Sequence, residues 1–262
     1  MNYLAQSNNQ FGVISLGSGS KGNATLVKFA NTLLLIDCGF SCKEIERRMQ
    51  LKNIATSDVT AILVTHEHGD HISGVPALSN KYQLPVWMSS GTSYHNKACK
   101  IKNLNLFNTH QEFKIEGVTV CPVSVPHDAR EACQYVFESQ QRKVGILTDL
   151  GHVTPYIKQQ YQGCDILMLE FNHERDLLLQ SAYPQSLKAR VSGDLGHLSN
   201  SQATEFLTDD ITKQLKYLVA MHLSEENNRR ELVLNSISAK KLNSSIEVIL
   251  SNQEVGLDWL YT

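Results

Sequence analysis

Short apolar runs, most of them closed by glycine, aspartate or histidine, alternate along this chain with segments of helical spacing. Residues 11–17, 26–29 and 33–36 predict three strands, with a glycine-rich turn at 18–25 between the first two. Residues 59–64, 85–88, 118–125, 165–169, 217–221 and 245–250 predict further strands, and a short one follows Glu254. Residues 134–137 and 143–147 read as a pair. Helical spacing covers 42–52, where Ile45, Met49 and the alkyl part of Arg48 share a side. Helices are also predicted over 72–82, 93–102, 202–207 and 228–241, with Ser199 or Asn200 capping the helix at 202–207. Strands alternating with helices predict α/β layers. No linker or low-complexity stretch divides residues 1–262, which read as one domain. A weak likeness between residues 61–66 and 218–222, each a strand ending in histidine, points to duplicated halves.

The residues that close these strands carry the chemistry. After 59–64 comes Thr65-His66-Glu67-His68-Gly69-Asp70-His71, so His66, His68, Asp70 and His71 emerge together from one strand end. Three imidazoles and a carboxylate suit zinc, manganese or iron better than calcium or magnesium. Gly69 relaxes the backbone where the segment must turn. The plain alternative is a loop of solvated histidines, but three of ten histidines within six residues are not explained by solvation. Other predicted strands end at Asp37, His127, Asp149 and His222. Asp37 suits a supporting role, accepting a hydrogen bond from a metal-bound imidazole. The other six positions and Asp149 make seven possible ligands, enough for two metals sharing one carboxylate. The loop at 18–25 could cradle a phosphate, but it lacks the Walker spacing and a following helix, so a hairpin turn is expected. His95 and His110 read as surface residues, and His152 as surface or supporting.

Composition narrows the classes. Apolar residues make up 42% and charged residues 19%, ordinary for a globular protein. A net charge of −2 gives no general case for a polyanion partner. A nucleic-acid enzyme would have to concentrate its basic residues locally, and Lys97, Lys100, Lys102, Arg229 and Arg230 are the candidates. The first ten residues have no basic region or apolar core, so no secretion signal is expected. No apolar run approaches a membrane span, so no membrane partner is expected. Six cysteines without a Cys-x-x-Cys pair then read as reduced, buried small hydrophobes in a cytoplasmic protein.

Taken together, the strand-end residues resemble the metallo-β-lactamase-fold hydrolases, whose signature is His-x-His-x-Asp-His followed by a distant His, Asp and His. The resemblance implies a four-layer αββα sandwich with its site along one edge of two sheets. It implies that His66, His68 and His127 hold one metal, that Asp70, His71 and His222 hold a second, and that Asp149 bridges them, with Asp37 in support. No late cysteine ligand stands here, unlike in the exported β-lactamases. A histidine stands at 68 where flavodiiron oxygen reductases have glutamate, and only 72 residues separate Asp149 from His222, too few for the β-CASP insert. The segments 15–23, 126–129, 145–149 and 222–228 are similar to the YycJ (WalJ)-like subfamily, regarded as nucleic-acid-processing hydrolases. Glu170 and Gly196-His197-Leu198-Ser199 are similar to the tRNase Z pairing of a glutamate with a Gly-His-Ser histidine, with Leu198 as an extra residue.

The resemblance therefore implies a dinuclear hydrolase, with zinc or manganese favoured and iron possible, in which metal-activated hydroxide attacks a phosphodiester. Asp70 would orient the hydroxide or take its proton, and His197, oriented by Glu170, would protonate the leaving alkoxide. An ordinary structural Glu170–His197 pair is the alternative for those two. His173 is a possible pocket residue. A DNA exonuclease is the leading reading. A thioester or lactone hydrolase of the glyoxalase II type is its rival, and structural metals in a binding protein are a third possibility.

Overall fold

In a computed structural model, which describes residues 11–262, the apolar runs pair into two seven-stranded mixed sheets. In spatial order the first is Leu260–Tyr261, Phe11–Gly17, Ala24–Phe29, Thr32–Ile36, Ala61–Leu63, Val86–Ser89 and Leu104–Phe107. The second is Glu247–Leu250, Tyr217–Met221, Ile166–Glu170, Arg142–Leu147, Cys133–Ser139, Val118–Ser124 and Phe113–Ile115. Strand parity divides the side chains between layers. Val13, Leu34, Ile36, Ala61 and Leu63 meet Tyr135, Ile146, Met168 and Val219 between the sheets. Ile14, Leu35 and Ile62 pack outward with Ile45, Met49 and Leu78, which lie on helices Cys42–Leu51 and Val75–Tyr82. Leu167, Leu169 and Leu218 pack outward with Ile157, Phe206 and Val233 of helices Pro155–Tyr161, Asn200–Phe206 and Arg230–Ala239. Burial on both faces explains why these strands read as near-continuous apolar runs. The four layers are the αββα sandwich expected from the sequence.

In both sheets an antiparallel pair leads into parallel strands. Ala24–Phe29 and Thr32–Ile36 precede Ala61–Leu63 and Val86–Ser89, as Cys133–Ser139 and Arg142–Leu147 precede Ile166–Glu170 and Tyr217–Met221. Ala61–Leu63 therefore corresponds to Ile166–Glu170 rather than to Tyr217–Met221, which corrects the pairing suggested by residues 61–66 and 218–222. Parallel strands gather their carboxyl ends at one edge, where α/β folds build ligand sites.

Several predicted elements are cut shorter. The strand over 59–64 is paired only at Ala61–Leu63. The helix over 72–82 breaks into Gly69–Ile72 and Val75–Tyr82, because Gly74 lies against the backbone of Phe40 and its N–H donates to Cys38 O. The helix over 93–102 does not form. Short turns at Ser90–Ser93, capped by Ser89, and at Ala98–Lys100 replace it. Strands Leu104–Phe107 and Phe113–Ile115 and helices Pro155–Tyr161, Arg175–Gln180 and Gln185–Val191 were not anticipated from the pattern. The six cysteines are unpaired. Cys38, Cys133 and Cys164 are buried as expected, whereas Cys99 is exposed and Cys42 and Cys121 are half-buried. Among the described residues no helix is long and apolar enough to cross a membrane. The expectation about a secretion signal lies outside the described residues.

Candidate metal centre

The shared edge collects the residues that close the strands. Asp37, Asp149 and His222 all adopt left-handed backbone, with φ of 61°, 55° and 54°. Such conformations are uncommon for residues other than glycine, although aspartate, asparagine and histidine adopt them more readily than the rest. Here they turn three strand ends sharply toward one another. The loop carrying Gly39 packs against the His66–His71 segment so closely that a Cβ on Gly39 would lie 1.8 Å from Asp70 O. Asn23 N also donates to Asp70 O (2.8 Å), and Cys38 N donates to His71 O (2.8 Å).

Four of the five imidazoles, all but His68, are oriented through one nitrogen, leaving the other for a ligand. His71 Nδ1 donates to Asp37 Oδ2 (2.8 Å). Thr65 Oγ1 donates to the same oxygen (2.8 Å) and can accept from His66 Nδ1 (3.0 Å), while Thr65 N donates to Asp37 Oδ1 (2.8 Å). Asp37 thus orients His71 directly and His66 through a hydroxyl. His127 Nδ1 donates to Gly196 O (3.2 Å) and His222 Nδ1 to Glu170 Oε1 (2.9 Å). This is the arrangement that fixes the tautomer of metal-binding histidines.

Atoms from His66, His68 and His127 lie within 4.8 Å of one another, as do those of Asp70, His71 and His222. His66, His71 and Asp149 form a third such group, which places Asp149 between the first two. The buried His66 Nε2 and Asp149 Oδ2 have no hydrogen-bond partner, an expensive state for polar atoms unless a ligand occupies the space between them. Burial holds His66 well below the usual histidine range, and the neighbouring imidazoles push it the same way, so its Nε2 stays unprotonated. Burial works against the charged form of His222, yet Asp149 and Glu170 raise it to about 9. Burial likewise opposes ionisation of Asp70, but His71 and His222 hold its carboxyl well below the carboxylate range. Carboxylates that draw a proton onto buried imidazoles form a site that favours a cation, and the donor set fits divalent metals.

Glu170 is a hub that sequence reasoning placed only in part. Fully buried, it accepts from His197 Nδ1 (2.9 Å) as expected, and also from His222 Nδ1, Asp149 N (3.1 Å) and Leu198 N (2.8 Å). Burial opposes its ionisation, but the two imidazoles hold it well below the usual range. His197 keeps Nε2 free beside a cavity of about 360 Å³ that is also lined by His68, Asp70, Asp149 and His222. His173 does not line that cavity. It is buried behind the site with its Nδ1 unpartnered, and burial lowers it to about 4. His152 bonds Asp194 O (2.9 Å), His95 is half-buried and His110 exposed.

Other residues carried no signal of their own. Asn23 Nδ2 donates to Asp70 Oδ2 (3.2 Å), and Ser18 Oγ accepts from His222 N (2.9 Å). The glycine-rich loop therefore buttresses the metal segment, and only its Ser20 lines the cavity. Of the basic candidates, Arg229 and Arg230 line a neighbouring cavity of about 500 Å³, while Lys97, Lys100 and Lys102 line neither. The basic residue beside the site is Arg190, on the unanticipated helix Gln185–Val191.

The model of the beta-lactamase superfamily domain matches residues 32–222, a span that contains every ligand candidate and ends on His222. The chain is 35% identical to the exodeoxyribonuclease YycJ of Bacillus anthracis over 85% of this chain and 86% of that one. It is 31% identical to the exodeoxyribonuclease WalJ of Streptococcus pneumoniae over 83% of each. Its fold is similar to the crystal structure of the metallo-beta-lactamase fold protein YhfI from Bacillus subtilis, with a TM-score of 0.74 and 16% identity, covering 97% of this chain and 100% of that one. With a family match that takes in strands of both sheets and a relative 35% identical over most of either chain, the protein belongs to the beta-lactamase superfamily, as a metal-dependent hydrolase.

Proposed function

We propose that this chain, taken as one domain over 1–262, is a dinuclear phosphodiesterase that degrades DNA from an end in the cytoplasm. The observation that carries this reading is His197. It stands beside the metal clusters with Nδ1 held by Glu170 and Nε2 free toward the cavity, where a leaving group needs a proton. Similarity to two exodeoxyribonucleases supports DNA as the substrate.

In this reading His66, His68 and His127 would hold one ion and Asp70, His71 and His222 the other, with Asp149 available to both. Two zinc or manganese ions held there would lower the pKa of a bound water and offset charge on the scissile phosphate, and iron is the third candidate. Asp70, kept ionised, would orient the attacking oxygen. His197, its ring held through Nδ1 by Glu170, would give an Nε2 proton to the departing sugar oxygen.

His197→Ala tests the assignment. Loss of a general acid should slow cleavage of a sugar leaving group by about 10²–10⁴-fold and a p-nitrophenolate leaving group far less. Unchanged dependence on leaving-group pKa would sink it. End-labelled duplex DNA, single-stranded DNA and RNA, each with Mn²⁺ and Zn²⁺, test the substrate. Thioester turnover without attack on any nucleic acid would favour the glyoxalase II-like alternative.

A further inference from the structure

Tyr183, Leu187, Arg190 and Val191 wall one side of the site. Tyr183, Leu187 and Val191 recur every four residues and line the same cavity as His197 and His222, yet helix Gln185–Val191 buries none of its residues fully. Its Arg190 donates through Nε to Asp128 Oδ2. Asp128 Oδ1 in turn lies 3.7 Å from His68 Nε2 and 3.5 Å from His127 Nε2. The arginine is therefore tied to the first ligand cluster through one carboxylate. Its two Nη groups make no hydrogen bond among the described residues, and the side chain is 57% exposed. A guanidinium with both terminal nitrogens free presents a planar fork that matches phosphate oxygens.

The placement of this wall is enforced. His197 N donates to Val191 O (2.9 Å), and Asp128 N donates to Leu195 O (3.0 Å). The close return of the chain depends on Gly196, where a Cβ would lie 2.2 Å from Val191 O and 2.3 Å from Arg190 O. One tight turn thus fixes Arg190, His197 and the carbonyl that orients His127 relative to one another.

Resting on the phosphodiesterase reading, we propose that Arg190 and Tyr183 form a nucleotide clamp. Arg190, with Asp128 as its positioning residue, grips a non-bridging oxygen of the scissile phosphodiester. The Tyr183 ring packs on the adjoining base. The clamp makes this site select a nucleotide phosphodiester over a thioester or lactone, which offers no anionic oxygens to the fork.

The test uses the full-length, manganese-loaded enzyme with two substrates, a short DNA duplex and bis(p-nitrophenyl) phosphate, and measures bound metal in every variant. Arg190→Ala should lower kcat/KM on both by about 10²–10³-fold with metal content unchanged. Arg190→Lys, which keeps charge without the fork, should recover less than a tenth of the loss. Tyr183→Ala should raise the ratio of KM on DNA to KM on the small ester by about 5- to 100-fold. Asp128→Asn should lower kcat/KM on both substrates, and adding Arg190→Ala to it should cost less than in the wild type. A wild type active on both substrates with Arg190→Ala unchanged, or with its loss matched by lost metal, overturns the clamp alone. A wild type inactive on both overturns the phosphodiesterase reading and the clamp with it.

Discussion

Replacing Asp37 by asparagine isolates what one buried charge does for the metal centre. Asparagine tolerates the left-handed backbone that Asp37 adopts at φ 61°, so the substitution changes charge and hydrogen bonding with little strain. The carboxylate accepts three bonds: Thr65 N at Oδ1, and Thr65 Oγ1 and His71 Nδ1 at Oδ2. An amide can satisfy only one side. With its oxygen toward His71, its NH₂ opposes the buried Thr65 N–H. With its oxygen toward Thr65, its NH₂ forces His71 Nδ1 to accept and moves the ring proton to Nε2, the atom needed by the metal. One unpaired buried donor costs ~1–3 kcal/mol, which corresponds to a fall in Tm of about 2–12 °C for a chain of this size. A disturbed ligand tautomer weakens metal binding by about 10–100-fold. Calorimetry in chelator reads the first effect, and chelator competition with Zn²⁺ or Mn²⁺ reads the second. Wild-type metal affinity in Asp37→Asn would refute the orienting role. Asp37→Ala, which also strains the backbone, should be worse on both measures.

Three further outcomes are expected. Gly196→Ala should displace the turn beneath Arg190 and His197, cutting turnover by about 100-fold while far-UV circular dichroism stays native. Burial depresses His173 from 6.5 to about 4, so its contribution to stability is complete above pH 6.5 and is lost as pH falls through 4. In His173→Phe the loss of stability between pH 7 and 4, read from urea midpoints, should shrink by at most ~3 kcal/mol. Gly145→Ala would put a Cβ 2.6 Å from the Tyr161 ring, so a lower Tm with unchanged metal content is expected.

What the sequence revealed follows what burial on two faces does to a strand. Runs such as 33–36, 165–169 and 217–221 have apolar residues at both parities, so their ends, and with them Asp37, Glu170 and His222, were legible. Edge strands Leu104–Phe107 and Phe113–Ile115 are short and half-exposed, and they carry no such signature. Helix Gln185–Val191 was invisible for the same reason, because it buries no residue fully and has no apolar face set against a core. Arg190 was missed with it. Glu170 was found as a partner of His197, but its bond to His222 joins residues 52 apart in sequence, and only the sheet order brings them together. Asn23 and Ser18 sit in the loop that was expected to be, and is, a hairpin turn, but nothing local showed that its side chains would bond Asp70 and His222.

The division of strands into two sheets has a mechanical consequence. His66, His68, Asp70 and His71 follow a strand of one sheet, while His127, Asp149 and His222 follow strands of the other. Each proposed ion would therefore take ligands from both sheets, acting as a rivet at one end of a seam otherwise closed by side-chain packing and a few hydrogen bonds, such as Tyr135 Oη to Val64 O and Cys133 N to Thr65 O. Loading with metal should slow hydrogen exchange most along that seam, at Leu63 and Met221, and least in the outer helices, so the catalytic centre would double as the latch between two repeated halves.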